Sequence, residues 1–181
     1  MMQGFWDWSL STYSRPGVAD QLIALQDRYG ANVNLILWCL WLGGRAVPVE
    51  SSLIDKAIEG IEDSQCAISE IRTLRRLTGR FLGKEKPLYI LLKNKELGAE
   101  RMEQATLQVL ADKYINWPEC DRPPPISASG SKDGLSWLAA YCHVVQAAGH
   151  MAIPHDALVA LSDAAYPLCD DTLQPEFRGI Q

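Results

Sequence analysis

Histidine is scarce in this chain of 181 residues: His143, His150 and His155 are the full set, and none is placed to serve a metal. His150 and His155 stand five residues apart with Pro154 before the second, so they do not share the i, i+4 helical face that a zinc pair uses. Cys142 and His143 are sequence neighbours, and neighbours on a helix point apart, which argues against a Cys–His nucleophile pair. There is no GxGxxG after a strand, no phosphate loop ending in GK[ST], no GxSxG and no HExxH. The five cysteines, Cys39, Cys66, Cys120, Cys142 and Cys169, are odd in number and widely spaced, without a CxxC pair. That pattern suits reduced thiols in a cytoplasm better than a disulfide framework or a zinc site. These gaps leave no catalytic residue, cofactor or metal site to name.

The opening residues, MMQGFWDWSLSTYSRPG, lack the basic start and continuous apolar stretch of a secretory signal, so a cytoplasmic protein is expected. The formal net charge is −5 and the pI about 5.2, a balance that repels polyanions unless a local patch overrides it. The longest apolar run is VNLILWCLWLGG, residues 33–44, in which only Asn34 is polar before Gly43. As a helix, its ten positions from Val33 to Leu42 span about 15 Å, roughly half the hydrocarbon layer of a bilayer, so a membrane span is excluded. A helix apolar on every side must be surrounded, which predicts a central helix walled by amphipathic ones.

Such walls are legible on both sides of it. Phe5–Ser14 reads as a short aromatic-rich first helix. Val18, Leu22, Leu25 and Tyr29 form one stripe, with Pro16 as a first helical position and Gly30 as the stop. Asn32 or Asn34 is a cap for the central segment. Leu53, Ile54, Ala57, Ile58 and Ile61, then Ala67, Ile68, Ile71, Leu74 and Leu77, predict two helices or one long broken helix to about Phe81. Pro87, Leu88, Leu91 and Leu92 open a further segment, and Met102, Ala105 and Val109 mark a stripe ending near Tyr114, with Gly98 read as a junction. Residues 116–134 are rich in Pro, Ser and Gly and read as a linker or long loop. Two more helices are expected over 135–166, docked on a core domain of residues 1–115, and the tail 167–181 is expected to be flexible. No segment alternates with a period of two, so the predicted fold class is all-α, a compact multi-helix bundle around residues 33–42.

Several groups are candidates for binding. Trp38 and Trp41, three apart on the central helix, either fill the core or line a pocket, and a buried indole seeks an acceptor for its N–H. Trp6 and Trp8 either staple the first helix to the central one or present an apolar anchor to a partner. Arg72, Arg76 and Arg80 share a helical face, flanked by Arg75 and followed by Lys84, Lys86, Lys93 and Lys95. That row either complements the dipole of its helix or forms a local site for a phosphate, a nucleic acid or an acidic partner. Asp55, Glu59 and Asp63 repeat at four-residue steps, but without a facing ExxH or second acidic row they read as a solvated face.

The stretches FWDWSLSTYSRPGV and LQDRYGANVNLILWCLWLG resemble the opening of a family of small uncharacterised proteobacterial proteins, with an FWxWSxxxY start and a YGxxVNxLL segment ending in Trp-Leu. The resemblance is specific from about Phe5 to Gly43 and thins toward Tyr114. It implies a helical domain in a bacterial cytosol and brings no activity or catalytic residues with it.

The reading favoured by the sequence is a non-enzymatic accessory or regulatory module that binds another macromolecule, most simply a protein, through the N-terminal aromatics or the arginine face. Nucleic acid enters only through the Arg72, Arg76 and Arg80 face. The competing reading is a binder of, or enzyme for, a small apolar or phosphorylated ligand, with Trp38, Trp41 and the arginines converging on one cavity beside the central helix.

Overall fold

The computed structural model describes residues 4–117, 130–149 and 151–166. Among them are seven helices and no strand: α1 (Phe5–Tyr13), α2 (Val18–Tyr29), α3 (Val33–Gly43), α4 (Ser51–Phe81), α5 (Pro87–Tyr114), α6 (Gly130–Ala147) and α7 (His155–Ala165). The fold class is all-α, and no helix among the described residues is long and apolar enough to cross a membrane.

Helix α3 is the central one. Asn32 caps it by accepting the Leu35 N–H on Oδ1 at 2.9 Å, and every residue from Asn34 to Gly43 is buried. The Trp38 ring meets Trp137 of α6 edge-on at 6.2 Å, while Trp41 lies between Phe5 at 5.5 Å and Trp117 at 5.4 Å. Each buried indole contributes about 4–6 kcal/mol of gross hydrophobic free energy. Trp137 satisfies its N–H on the Val47 carbonyl at 2.9 Å, but the N–H groups of Trp38 and Trp41 meet no acceptor among the described residues.

Helix α6 packs along α3 through a crossing that only glycine permits. A Cβ on Gly43 would stand 2.4 Å from Gly134 Cα and 2.6 Å from the Asp133 carbonyl carbon. Helix α7 is then tied down from two sides: the Tyr166 hydroxyl donates to the Leu40 carbonyl, and Arg15 donates to the Ala165 carbonyl at the end of α7.

Helices α4 and α5 form a long antiparallel hairpin, held to the rest of the fold at one end. At about 1.5 Å per residue, α4 is about 46 Å long. Leu53, Ile54, Ala57 and Ile61 join the core, and Ile68 is the last buried residue of α4. On α5 burial resumes at Glu96 and continues through Glu103, Gln104, Leu107 and Ala111.

The structure departs from the sequence pattern at several points here. Both hairpin helices are continuous, and Gly98 lies inside α5 with open space where a side chain would go, rather than at a junction. The stripe Met102, Ala105, Val109 faces outward, while its polar neighbours Glu103 and Gln104 face in, because the neighbour they meet is the amide-rich start of α3. Leu74 and Leu77 are likewise exposed. Pro16 precedes α2 in a turn, and Gly17, at φ 80°, is the cap. Helix α6 begins at Gly130, inside the stretch read as linker. Most of that stretch, with the expected flexible tail, lies outside the described residues.

Candidate functional site

The site begins with polar residues that the fold has to bury. Glu103 Oε1 accepts from the side-chain amides of Asn32 and Asn34, both at 3.0 Å, and Oε2 accepts from the Ser64 hydroxyl at 3.1 Å. Gln104 donates to Asn34 Oδ1 and accepts from the Ser9 hydroxyl, each at 2.8 Å. Four helices, α1, α3, α4 and α5, are thereby locked in register. Two amides hold Oε1, and the single hydrogen of the Ser64 hydroxyl is shared between Oε2 and the Ile61 carbonyl at 2.8 Å, so the Glu103 carboxylate serves as a structural anchor.

Beside this cluster a groove of about 600 Å³ opens between α1, α2 and the hairpin, with Val33, Asn34 and Leu37 of α3 at its floor. Its walls carry Leu10 and Tyr13 from α1, Ile23 from α2 and Leu97 from α5, which are 38–53% exposed. Trp6 completes the wall, half-buried, with the Arg101 guanidinium 5.1 Å from its ring centroid. Large apolar side chains drawn from three helices thus converge on one concave surface and stay in contact with water.

The opposite edge is charged. Arg72 donates to Glu96 and to Glu100, both at 2.8 Å, and Arg75 donates to the same Glu96 carboxylate and to the Tyr89 hydroxyl at 3.3 Å. Burial pushes the Glu96 carboxyl up, but the hydrogen bonds and charges of Arg75 and Arg72 outweigh it and leave Glu96 below its ordinary value. At Glu100 burial wins over Arg72, and the carboxyl is held above its ordinary value. Arg76 bridges the hairpin to Asp27 of α2 at 2.9 Å, and Lys93 projects into solvent at the groove rim.

Of the residues singled out from sequence, the groove brings together Trp6, Arg72 and Arg76, with the flanking Arg75 and Lys93. It does not include Trp8, which packs 6.2 Å from the Tyr166 ring in the interior, nor Trp38 and Trp41, which belong to the core. Arg80 is exposed near the far end of α4. Asp55, Glu59 and Asp63 are exposed, and no group of three or more potential metal ligands occurs among the described residues. Cys142 is buried and His143 exposed, so they diverge; burial pushes the Cys142 thiol up to about 11. Sequence reasoning missed Ile23 and Leu97. Their signal was available: each is an apolar residue standing off the stripe by which its own helix packs.

A second cleft of about 590 Å³ lies on the other side of Arg72 and Arg76, toward the base of α4, and is lined by polar groups such as Gln26, Asp27, Glu62 and Gln65. It lacks the exposed apolar walls of the first.

The chain belongs to the family described as a protein of unknown function (DUF2390), whose model matches residues 4–107. That span runs from the start of α1 into the last turns of α5, and so contains every residue of the groove and none of α6 or α7. No curated protein matches the chain, and no solved structure does.

Proposed function

We propose that the protein is a helical accessory module that acts by binding, and that the groove receives an amphipathic segment of another protein. One observation carries the reading: Leu10, Tyr13, Ile23 and Leu97, from three helices, stay exposed around a single concavity whose charged rim is ion-paired except at Lys93. A convergent apolar patch rimmed by polar groups is the usual form of a helix-in-groove site. Lys93 at the rim favours a segment with carboxylates along one edge.

A small phosphorylated ligand is favoured by the groove's volume, which falls in the range of ligand pockets. The charge pattern opposes it, since Arg72, Arg75 and Arg76 are already engaged by Glu96, Glu100 and Asp27. A phosphate would have to displace carboxylates that are already in place.

Selection from a library of helical peptides tests the proposal. The expected ligands are acidic and amphipathic, perturb the methyl resonances of Leu10, Ile23 and Leu97, and lose binding in Ile23→Lys and Leu97→Lys. Peptides that bind as well to both variants, or a selection that yields none, would refute it.

A further inference from the structure

The face of the hairpin turned away from the groove carries an apolar stripe that none of the described residues covers. Along α5, Leu88, Leu91, Gly98, Met102, Ala105 and Val109 recur in steps of a heptad, with Lys95 as the one interruption, and all of them are exposed. Leu74, Leu77 and Phe81 continue the same face on α4 at i, i+3 and i+7, and these large residues are 46–74% exposed. A strict heptad stripe is narrower than the face by which a helix joins a globular core; it is the seam that packs against another helix.

Charge is distributed along the hairpin in two opposed halves. Away from the groove and its ion pairs, the half around the tip, residues 71–98, keeps Arg80, Lys84, Lys86 and Lys95 against Glu85, all exposed, a formal +3. The half at the base, residues 51–70 and 99–114, keeps Asp55, Glu59, Asp63, Glu70 and Asp112 against Lys56 and Lys113 once the residues of the two clefts and the Arg101 beside Trp6 are set aside, a formal −3. The apolar stripe crosses both halves. A nucleic acid or an anionic lipid surface would match the tip and be repelled by the base. The complement to such a stripe is a surface with the reverse gradient, and a second copy of this hairpin laid antiparallel carries it.

We infer that the outer face of the α4–α5 hairpin is a self-association surface, on which a second copy packs antiparallel with the tip of each over the base of the other. The arrangement is isologous, so the two charge matches come as an identical pair. The stripe from Leu88 to Val109 is about 32 Å long, and two helices present a width of about 20 Å, so each copy covers roughly 600 Å² and the pair about 1,200 Å². That is the lower bound for a specific interface, which predicts a dimer that dissociates on dilution and weakens as salt screens the tip-to-base attraction.

The test is the mass of the full chain by sedimentation equilibrium between about 1 and about 200 μM. It should rise from the monomer's 20.1 kDa toward twice that value. Met102→Lys with Val109→Lys, both at exposed positions, should hold it at 20.1 kDa with unchanged circular dichroism. Reversal at the tip (Lys84→Glu, Lys95→Glu) or at the base (Glu59→Lys, Asp63→Lys) should each weaken association about tenfold at low salt, and all four changes together should restore it. A chain that stays monomeric throughout, an association untouched by the Met102 and Val109 changes, or a fourfold reversal without rescue would each overturn the inference. Groove variants such as Ile23→Lys should leave the mass unaffected, so the two surfaces fail or stand separately.

Discussion

Gly43→Ala is the sharpest test of the core, because its new methyl would meet backbone rather than the movable end of a side chain. The added carbon would lie 2.4 Å from both Gly134 Cα and Gly134 N. Ordinary carbon contacts begin near 3.5 Å, so α3 and α6 must part by about 1 Å. A gap of that size forfeits about a third of each contact's attraction; over roughly 50 atom pairs at about 0.15 kcal/mol each, the loss is about 2.5 kcal/mol. Better helix propensity returns well under 1 kcal/mol at this terminal position. The net is about 2 kcal/mol, or a melting temperature lower by about 4–8 °C for a chain of this size. Gly134→Ala is the internal control. Its Cβ would meet the Leu40 methyl and the Tyr166 ring at 3.1 Å, side-chain atoms that need shift by only a few tenths of an ångström, so the expected loss is smaller. Thermal and urea melts followed by far-ultraviolet circular dichroism read both. Gly43→Ala melting at or above the parent temperature, or Gly134→Ala proving the worse of the two, would refute the close-crossing argument.

Glu103→Leu should destabilise by about 2–4 kcal/mol, since it strands the Asn32 and Asn34 amides while the Ser64 hydroxyl keeps the Ile61 carbonyl; an unchanged urea midpoint would contradict the anchoring role. Gly98→Ala should stabilise by about 0.5–1 kcal/mol, because the helix is continuous there and the methyl meets nothing within 4 Å; it is measured in dilute monomer, and a loss would point to a local break in α5. On acidification Glu100 is the first of the paired carboxyls to protonate, as its value is raised, and relief of its buried charge makes that contribution to stability rise as pH falls. Glu96 is depressed, so its pairing with Arg75 and Arg72 is lost only below the ordinary carboxylate range. In Glu100→Gln the upper part of this profile should flatten while the lower part stays; a profile identical to the parent would reject the assignment.

The central helix was legible from sequence because being apolar on all sides leaves a segment only one place to go. The base of α4 was legible for a similar reason: Leu53, Ile54, Ala57 and Ile61 repeat with the helical period and do pack inward. On α5 the same reasoning chose the wrong side. Period alone says that Met102 and Val109 share a face, but not which face meets the chain, and Glu103 and Gln104 outcompeted them because the neighbour they meet offers amides and hydroxyls. Trp6 and Trp8 could not be told apart either, since two positions along a short helix separate a core residue from a groove wall. The groove itself has no linear signature: its apolar walls come from α1, α2 and α5, which only the folded chain brings together.

The hairpin is also a lever. It is anchored at its base, and between there and its tip the bond from Arg76 to Asp27 is an exposed ion pair worth under about 1 kcal/mol. A tilt of about 5° at the base swings the end of a 46 Å arm by about 4 Å. Anything wedged between α2 and the arm therefore shifts Phe81 and its neighbours farther than it moves the groove walls. Occupancy on one side of the hairpin is transmitted, by geometry alone, to the side where a second molecule would sit.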